Sequence, residues 1–202
     1  MNNENLPLSV LNRLPAYLHF VKYMYDGATV SSAVIAKALS LGEVQVRKDL
    51  QMVSGAGRPK VGYVTAELVR HLEESLAVST KVNCVLVGVG HLGKALLYND
   101  GFEEYGLAVI GAFDTKQITL HDGRKVLQPE QLAEFCQAHD VSVGIVTVPE
   151  QAAQTVADEL VSAGVRAIWN FAPTTLKVPD NVKVKNENLA QSLAVLAVQA
   201  VK

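Results

Sequence analysis

One glycine-rich segment has the residue types and the spacing of a nucleotide-binding turn. The apolar run 82–87 leads into Gly88-x-Gly90-x-x-Gly93, and a helical pattern follows from Lys94. In a strand, turn and helix of this kind, the first glycine permits the tight turn and the second lets the backbone approach a pyrophosphate. The third lets the helix pack close to the strand, and the first-turn amides face the anion. The segment predicts a dinucleotide site that also includes Val89, His91 and Leu92.

A carboxylate follows the next apolar run at a suitable position. Residues 107–113 predict a second buried strand, and Asp114 lies 26 positions beyond Gly88. A carboxylate at that strand end suits the adenosine ribose hydroxyls of NAD. The alternative is that Asp114 is a strand-end turn residue or a helix cap.

Strand and helix patterns alternate through the rest of this part of the chain. Residues 125–127, 141–148 and 165–171 have strand patterns, whereas 129–138 and 150–163 have helical ones. This alternation predicts an α/β fold with a doubly wound parallel sheet, that is, a Rossmann domain. Ligands of such sheets bind outside the carboxyl ends of the strands. The further cofactor contacts predicted there are Asp114, Thr115, Thr147, Val148, Pro149, Asn170 and Phe171.

The N-terminal part predicts a small helical module. A helical pattern near 7–26 is followed by a short helix after Ser31 and Ser32 and by another that opens at Glu43 and includes Val44, Val46, Leu50 and Val53. Two short helices joined by a Gly-containing turn are typical of a helix-turn-helix. The Gly-rich segment 54–63 then predicts a wing between two short strands, and 65–76 predicts a linker helix. The alternative is a three-helix packing module whose charged residues are simply solvated.

Charge and composition restrict the function classes. The net charge of −2 argues against general nucleic-acid binding, but residues 1–65 carry seven Lys/Arg against four Asp/Glu, and residues 81–202 carry ten against thirteen. This asymmetry permits an N-terminal part that faces nucleic acid. No apolar run is long enough for a membrane span, and the first residues lack signal-peptide features, so we expect a cytoplasmic protein. We interpret Cys84 and Cys136 as buried reduced thiols, and no metal-ligand spacing occurs.

The last stretch, residues 188–201, is nearly all apolar. A helix with this composition is expected to be buried, and in a chain of this size a partner subunit is the expected cover. The stretch therefore predicts a homodimer with this helix in or near the interface.

The motifs together resemble those of the Rex family of redox-sensing transcriptional repressors over nearly the whole chain. The resemblance is carried by Arg13-Leu-Pro-x-Tyr17, Ser31-Ser32, Gln45-Val-Arg-Lys-Asp-Leu50, Val-Gly-Tyr63, Leu86–Leu96, Gly101-Phe102, Ala112-Phe-Asp114, Val148-Pro149, Ala152-Ala-Gln154, Ala163-Gly164 and Asn170-Phe-Ala-Pro173. It implies a winged-helix DNA-binding domain with a linker helix over 1–80, a Rossmann NAD(H)-binding domain over 81–186 and an exchanged C-terminal helix over 187–202. It implies that NADH is the effector, which releases the dimer from its double-stranded operator. The second helix, the wing and this resemblance together predict these DNA contacts: Ser31, Ser32, Gln45, Arg47, Lys48, Gln51, Arg58 and Lys60.

Several positions depart from the family pattern. His91 replaces an asparagine in the glycine loop, the aromatic residue near the nicotinamide is shifted to Tyr98, and Lys116 stands near the expected ribose site. The acidic residue expected to pair across the dimer with Arg13 is Asn188. Arg13 and Asn188 are thus the predicted dimer-coupling positions, and Arg13 is expected to lack a charged partner unless Glu187 substitutes.

Two other functions fit the glycine motif. An NAD-dependent oxidoreductase needs a general acid or base and substrate-anchoring charges near the nicotinamide. No substrate domain follows the Rossmann unit, and no catalytic triad or carboxylate pair is recognisable, so we expect no enzyme activity. A CoA-binding module is the other alternative, against which Asp114 argues.

Overall fold

The computed structural model describes residues 6–200 and divides the chain into two units, Met1–Thr80 and Lys81–Lys202. The outermost residues of the predicted N-terminal domain and of the C-terminal helix, 1–5 and 201–202, lie outside the described part.

The predicted first helix is not one continuous element. Helix α1 spans Leu8–Leu11, helix α2 spans Leu14–His19, and a π-helical turn covers Phe20–Met24. Pro15 stands in the first turn of α2. A proline inside a helix would remove a hydrogen bond and clash with the preceding turn. The chain therefore ends α1 and starts a new helix just before this proline.

The predicted helix-turn-helix is present in the N-terminal unit. Helix α3 spans Ser32–Ala38 and helix α4 spans Glu43–Ser54, and helix α5 follows at Thr65–Ser75. The Ser31 hydroxyl caps α3 by accepting a hydrogen bond from the Val34 amide at 3.2 Å. A serine at this position satisfies an amide that the helix itself leaves unpaired.

The strands of this unit pair differently from the prediction. Strand β1, Thr29–Val30, pairs antiparallel with strand β2, Tyr63–Val64, so the partner of β2 precedes α3. Inside the predicted wing there is only a single bridge between Arg58 and Gly62. Gly62 has a φ of +85°, and a Cβ there would lie 2.4 Å from the Val30 carbonyl oxygen. The close approach of β1 to this turn therefore requires glycine.

A parallel five-stranded sheet forms the second unit, which confirms the predicted α/β fold class. In sequence order, the strands are Val82–Val87 (β3), Leu107–Phe113 (β4), Val141–Val146 (β5), Ala167–Asn170 (β6) and Lys183–Asn186 (β7). Their spatial order is β4-β3-β5-β6-β7. The connecting helices are His91–Leu97 (α6), Leu132–Ala138 (α7) and Glu150–Ser162 (α8), with 3-10 turns at Asp100–Tyr105 and Pro129–Gln131.

Helices cover both faces of the sheet, and consecutive strand residues point to opposite faces. On one face, Val85 and Phe113 pack with residues of α7 and α8. On the other face, Leu86 and Ile145 pack with Leu97 of α6. The two cysteines are free and buried, as predicted, and burial raises the pKa of the Cys84 thiol to about 11.

Two strand predictions need correction. Residues 125–127 form no strand, because they make only two isolated bridges, Lys125 with Thr119 and Leu127 with Phe113. In contrast, β7 was not predicted, because Val184 is the only apolar residue in it. β7 lies at the sheet edge, where exposed lysines are common because they discourage pairing with another chain.

Helix α9 spans Leu189–Ala200 and follows β7 directly. Every residue of α9 is exposed in the single chain, although the sequence predicts burial. Among residues 6–200, no helix is long and apolar enough to cross a membrane.

Candidate cofactor and nucleic-acid sites

The glycine turn lies between β3 and α6, as predicted, and two of its glycines are required by the surrounding backbone. Gly88 has a φ of +100°, and a Cβ there would lie 2.8 Å from the Thr147 carbonyl. A Cβ on Gly93 would lie 2.0 Å from the Gly88 carbonyl oxygen. Both positions therefore exclude a side chain.

Gly90 differs from the other two glycines, because an added Cβ would meet no atom within 4 Å. Its φ of −74° is also accessible to any residue. The fold itself therefore does not require glycine at this exposed position. A glycine there instead leaves open space on the outer side of the turn, where a phosphate group would approach the backbone.

The Asp114 carboxylate joins the end of β4 to the glycine turn. One carboxylate oxygen accepts a hydrogen bond from the Val89 amide at 2.7 Å, and the other accepts one from the Lys116 amide at 2.8 Å. The second bond makes Asp114 a strand-end turn residue, which was the alternative interpretation. A carboxylate has about four acceptor positions, so both oxygens retain capacity for ribose hydroxyls.

Thr147 joins the end of β5 to the same turn. Its hydroxyl donates a hydrogen bond to the Gly88 carbonyl oxygen at 2.6 Å. Val148 and Pro149 follow it, and Pro149 is the N-cap of α8. Strand β3 lies between β4 and β5, so Asp114 and Thr147 approach the turn from opposite sides.

Asn170 and Phe171, at the end of β6, have different surroundings. The Asn170 side chain is fully buried, and its amide nitrogen donates to the Thr174 carbonyl at 2.8 Å and to the Asn186 side chain at 2.9 Å. Its backbone carbonyl oxygen accepts a hydrogen bond from the Glu187 amide at 2.8 Å, so Asn170 fixes the end of β6. Phe171 is half-buried, with its ring 4.5 Å from that of Trp169.

The remaining predicted cofactor contacts lie on the surface of the turn or next to Asp114. His91 and Thr115 are exposed and Leu92 is half-buried.

Tyr98, at the end of α6, stacks on His121 with ring centroids 4.1 Å apart. Its hydroxyl is buried and has no hydrogen-bond partner in the described part of the chain.

In the N-terminal unit, helix α4 has one buried and one exposed face. Val46, Asp49, Leu50 and Val53 are buried. The predicted DNA contacts on this helix are all exposed: Gln45, Arg47, Lys48 and Gln51. Val44, one of the apolar residues in the predicted helix pattern, is 55% exposed, because it lies on the side opposite the buried residues.

A buried carboxylate connects α4 to the first helices. Asp49 accepts hydrogen bonds from Arg13 Nε at 2.7 Å and Arg13 Nη2 at 2.8 Å, and from the Tyr17 hydroxyl at 2.7 Å. Burial, followed by the hydrogen bond to Asp49, raises the pKa of Tyr17 to about 12. The hydrogen bonds to Asp49 also raise the pKa of Arg13. The expectation that Arg13 lacks a charged partner is therefore wrong, since the partner lies in its own unit.

Gln45 lies beside this cluster. With its amide oxygen placed towards Arg13, it accepts a hydrogen bond from Arg13 Nη1 at 3.1 Å. Arg13 therefore holds two side chains of α4 at once.

The other DNA contacts predicted from the sequence lie at the two ends of this helix pair. Ser31 and Ser32 are half-buried at the start of α3, whereas Arg58 and Lys60 are exposed on the tight turn 58–62. Lys60 has a φ of 62°, so the turn holds this lysine in the left-handed region.

Among residues 81–200, the Asn188 side chain has no charged partner. Its side-chain oxygen accepts from the Gln191 amide at 3.0 Å, at the start of α9. Glu187 pairs with Lys185 at 2.9 Å and accepts from Trp169 Nε1 at 3.3 Å. Within residues 6–200, no group of three or more His, Cys, Asp or Glu could hold a metal ion.

Sequence reasoning did not assign a role to Asp49 or Tyr17. A signal was present, because Asp49 recurs in phase with Val46, Leu50 and Val53 on the buried face of α4. A carboxylate in an apolar stripe predicts a paired, buried charge.

Comparisons with known proteins agree with this two-unit description. Residues 5–51 match the family described as "Putative DNA-binding protein N-terminus", and residues 79–174 match the family described as "CoA binding domain". The redox-sensing transcriptional repressor Rex of Porphyromonas gingivalis is 40% identical over 199 residues, which cover 96% of this chain and 91% of the relative.

Two solved structures of RSP, a Rex-family repressor, are also similar. The complex of RSP with β-NAD+ and operator DNA has a TM-score of 0.89 and 32% identity, covering 96% of this chain and 92% of RSP. The complex with β-NADH has a TM-score of 0.84 and 31% identity, covering 97% and 94%. The relatives are transcriptional repressors and not enzymes, which removes the oxidoreductase alternative. The chain belongs to the Rex family of redox-sensing transcriptional repressors.

Proposed function

We propose that the protein is a dimeric repressor that binds operator DNA through its N-terminal unit and NAD(H) through its C-terminal unit. NADH binding releases the dimer from the operator. The observation that carries the proposal is the open outer side of the glycine turn at Gly90, directly beside the Asp114 carboxylate.

The turn and the strand ends fit a dinucleotide. The amides of Gly90, His91 and Leu92 would hold the pyrophosphate, because first-turn amides lack partners within their own helix. Asp114 would accept hydrogen bonds from the ribose hydroxyls, with Thr115 beside it. The nicotinamide side would be bordered by Thr147, Val148, Pro149, Asn170 and Phe171. The backbone of the turn would be shaped by Gly88, Val89 and Gly93.

NAD is a better fit than CoA at this site. Two neighbouring hydroxyls of one ribose can bond to a single carboxylate, whereas a 2′- or 3′-phosphate would meet the negative charge of Asp114. Lys116 stands two residues further on and is exposed, so it offsets only part of that charge.

The exposed face of α4 fits a DNA groove. Arg47, Gln45 and Gln51 would contact base edges, because arginine and glutamine can make paired hydrogen bonds to guanine and adenine. Lys48, Arg58 and Lys60 would bind phosphates, and the hydroxyls of Ser31 and Ser32 would add neutral contacts. These residues all lie within 31–60, a range that carries five Lys/Arg against two Asp/Glu.

Helix α9 fits a dimer interface. Leu189, Leu193, Val195, Leu196 and Val198 are each about 60% exposed in the single chain. Leaving this apolar surface in water is unfavourable, and a second copy that exchanges the helix would cover it. Arg13 and Asn188 would couple the two subunits across the dimer, with Asn188 supplying an amide in place of a charge. The protein would act in the cytoplasm, with the operator.

Fluorescence anisotropy on a labelled palindromic operator tests the proposal, with NADH and NAD+ titrated separately. The operator is first selected from a randomised palindromic library with the full chain. Release by NADH and retention with NAD+ is the expected result. Equal responses to the two cofactors would disprove redox sensing, and failure to select any DNA would disprove the repressor function.

A further inference from the structure

The exposed face of α4 has an apolar residue at its centre. The buried residues Val46, Asp49, Leu50 and Val53 define the opposite side of the helix. With about 100° between consecutive residues, Val44 lies opposite their midpoint, between Lys48 and Gln51. Its side chain is 55% exposed, so the core does not account for it.

Helix stability does not account for valine at this position either. β-Branched residues lose side-chain freedom in a helix, and valine is a poorer helix former than alanine, lysine or glutamine. At an exposed site in the first turn of α4, each of those residues would stabilise the helix more. Neither folding nor solubility therefore requires an apolar, β-branched side chain at position 44.

We propose that Val44 is a specificity-determining residue that contacts the 5-methyl group of a thymine in the major groove. The proposal rests on the proposed DNA-binding function of α4. In helix-turn-helix proteins, the N-terminal residues of the second helix reach the base edges, and Val44 is the second residue of α4. The thymine methyl is the one apolar group that a base pair presents in that groove.

The neighbouring side chains support this assignment. Arg47 and Lys48 lie one turn further along the same exposed face. Their contacts with bases and phosphates would hold the start of α4 close to the base edges in the major groove. Met52 is also exposed, at 52%, but at about 100° per residue it points roughly 80° around α4 from Val44, away from the centre of this face. Met52 is therefore the matched apolar residue that should not reach a base.

The test replaces single thymines of the selected operator with deoxyuridine, which removes only the 5-methyl group. In each half-site, deoxyuridine at one thymine should lower the affinity of the full chain about fourfold. This is the value expected for the loss of one buried methyl group. The Val44→Ala protein should bind the thymine operator and the operator with deoxyuridine at that position with the same affinity. Met52→Ala should retain the wild-type response.

Two results would overturn the inference. Binding of the full chain that is insensitive to every deoxyuridine substitution would remove the methyl contact while leaving the repressor function intact. An unchanged deoxyuridine response in Val44→Ala would assign the contact to another residue. Absence of any operator binding would instead overturn the proposed function on which the inference rests. Circular dichroism of Val44→Ala checks that α4 is intact.

Discussion

Arg13 donates two parallel hydrogen bonds to the Asp49 carboxylate, from Nε at 2.7 Å and from Nη2 at 2.8 Å. These bonds join the start of α2 to helix α4. The carboxylate side chain is only 5% exposed, whereas the arginine is 23% exposed. Two bonds of this kind fix direction as well as distance. Together with the apolar packing of Val46, Leu50 and Val53, this buried carboxylate therefore fixes the orientation of the proposed DNA-reading helix.

Loss of the arginine should destabilise the N-terminal unit. In Arg13→Ala, the Asp49 carboxylate stays buried with Tyr17 as its remaining partner in this cluster, and breaking such a pair costs about 3 kcal/mol. Hydrogen exchange of the α4 amides measures the loss in this unit. Arg70→Ala is the control, because Arg70 pairs with Glu74 at the surface and its removal should cost only about 0.5 kcal/mol. Equal effects of the two substitutions would contradict the prediction.

Tyr17 should make this unit sensitive to alkaline pH. Its pKa is raised to about 12 in the folded chain, from an unfolded value near 10. The stabilisation is therefore fully present below about pH 10 and is lost as the pH rises towards 12, by an amount on the order of 2 kcal/mol.

Tyr17→Phe provides the comparison for this pH effect. The variant lacks the hydrogen bond to Asp49, so it should be less stable than the wild type at pH 8 by about 1–2 kcal/mol. That difference should shrink between pH 10 and 11.5, where only the wild type carries the titrating phenol at this site. Exchange of the α4 amides over this range measures both proteins, and a constant difference would contradict the prediction.

Two substitutions in the glycine turn should distinguish an effect on cofactor binding from an effect on stability. Gly90→Ala should leave the thermal unfolding midpoint unchanged, because the added methyl meets open space, but should weaken NADH binding at least tenfold, because the methyl occupies the expected phosphate position. Gly93→Ala should lower the midpoint itself, since its Cβ would lie 2.0 Å from the Gly88 carbonyl oxygen. Calorimetric titration with NADH and thermal unfolding separate the two effects. Unchanged NADH affinity in Gly90→Ala would contradict the assignment of the phosphate site.

Long periodic segments and glycine geometry could be predicted from the sequence, whereas partners distant in the chain could not. The turn at Gly88 was predictable because a strand, a fixed glycine spacing and a helix all lie within a short stretch. The pairing of β2 with β1 depends instead on the approach of Gly62 to Val30, which no local pattern encodes. The edge strand β7 has too few apolar residues for a strand pattern, and the Arg13–Asp49 pair joins residues 36 positions apart.

Asp114 should determine which dinucleotide the protein accepts. Asp114→Asn can still accept the Val89 amide through its one side-chain oxygen, so the glycine turn should keep its shape although the bond from the Lys116 amide is lost. Loss of the charge weakens the bonds to the ribose hydroxyls by about 1.5 kcal/mol, or roughly tenfold in NADH affinity. NADPH should gain relative to NADH, because the repulsion of its 2′-phosphate is removed. Titration of both cofactors gives the ratio, and an unchanged NADH preference would place the ribose elsewhere.

The exposed apolar helix should determine the oligomeric state. Leu196 is 59% exposed in the single chain, so Leu196→Asp should not disturb the fold of either unit. If a second copy covers α9, the substitution buries an unpaired carboxylate in the interface, which is strongly unfavourable. Light scattering after size-exclusion chromatography should then give a dimer for the wild type and for the control Lys177→Asp, which lies on an exposed loop, but a monomer for Leu196→Asp. The monomer should bind a palindromic operator far more weakly, since only one half-site is engaged at a time. A Leu196→Asp protein that remains dimeric would place the interface on another surface.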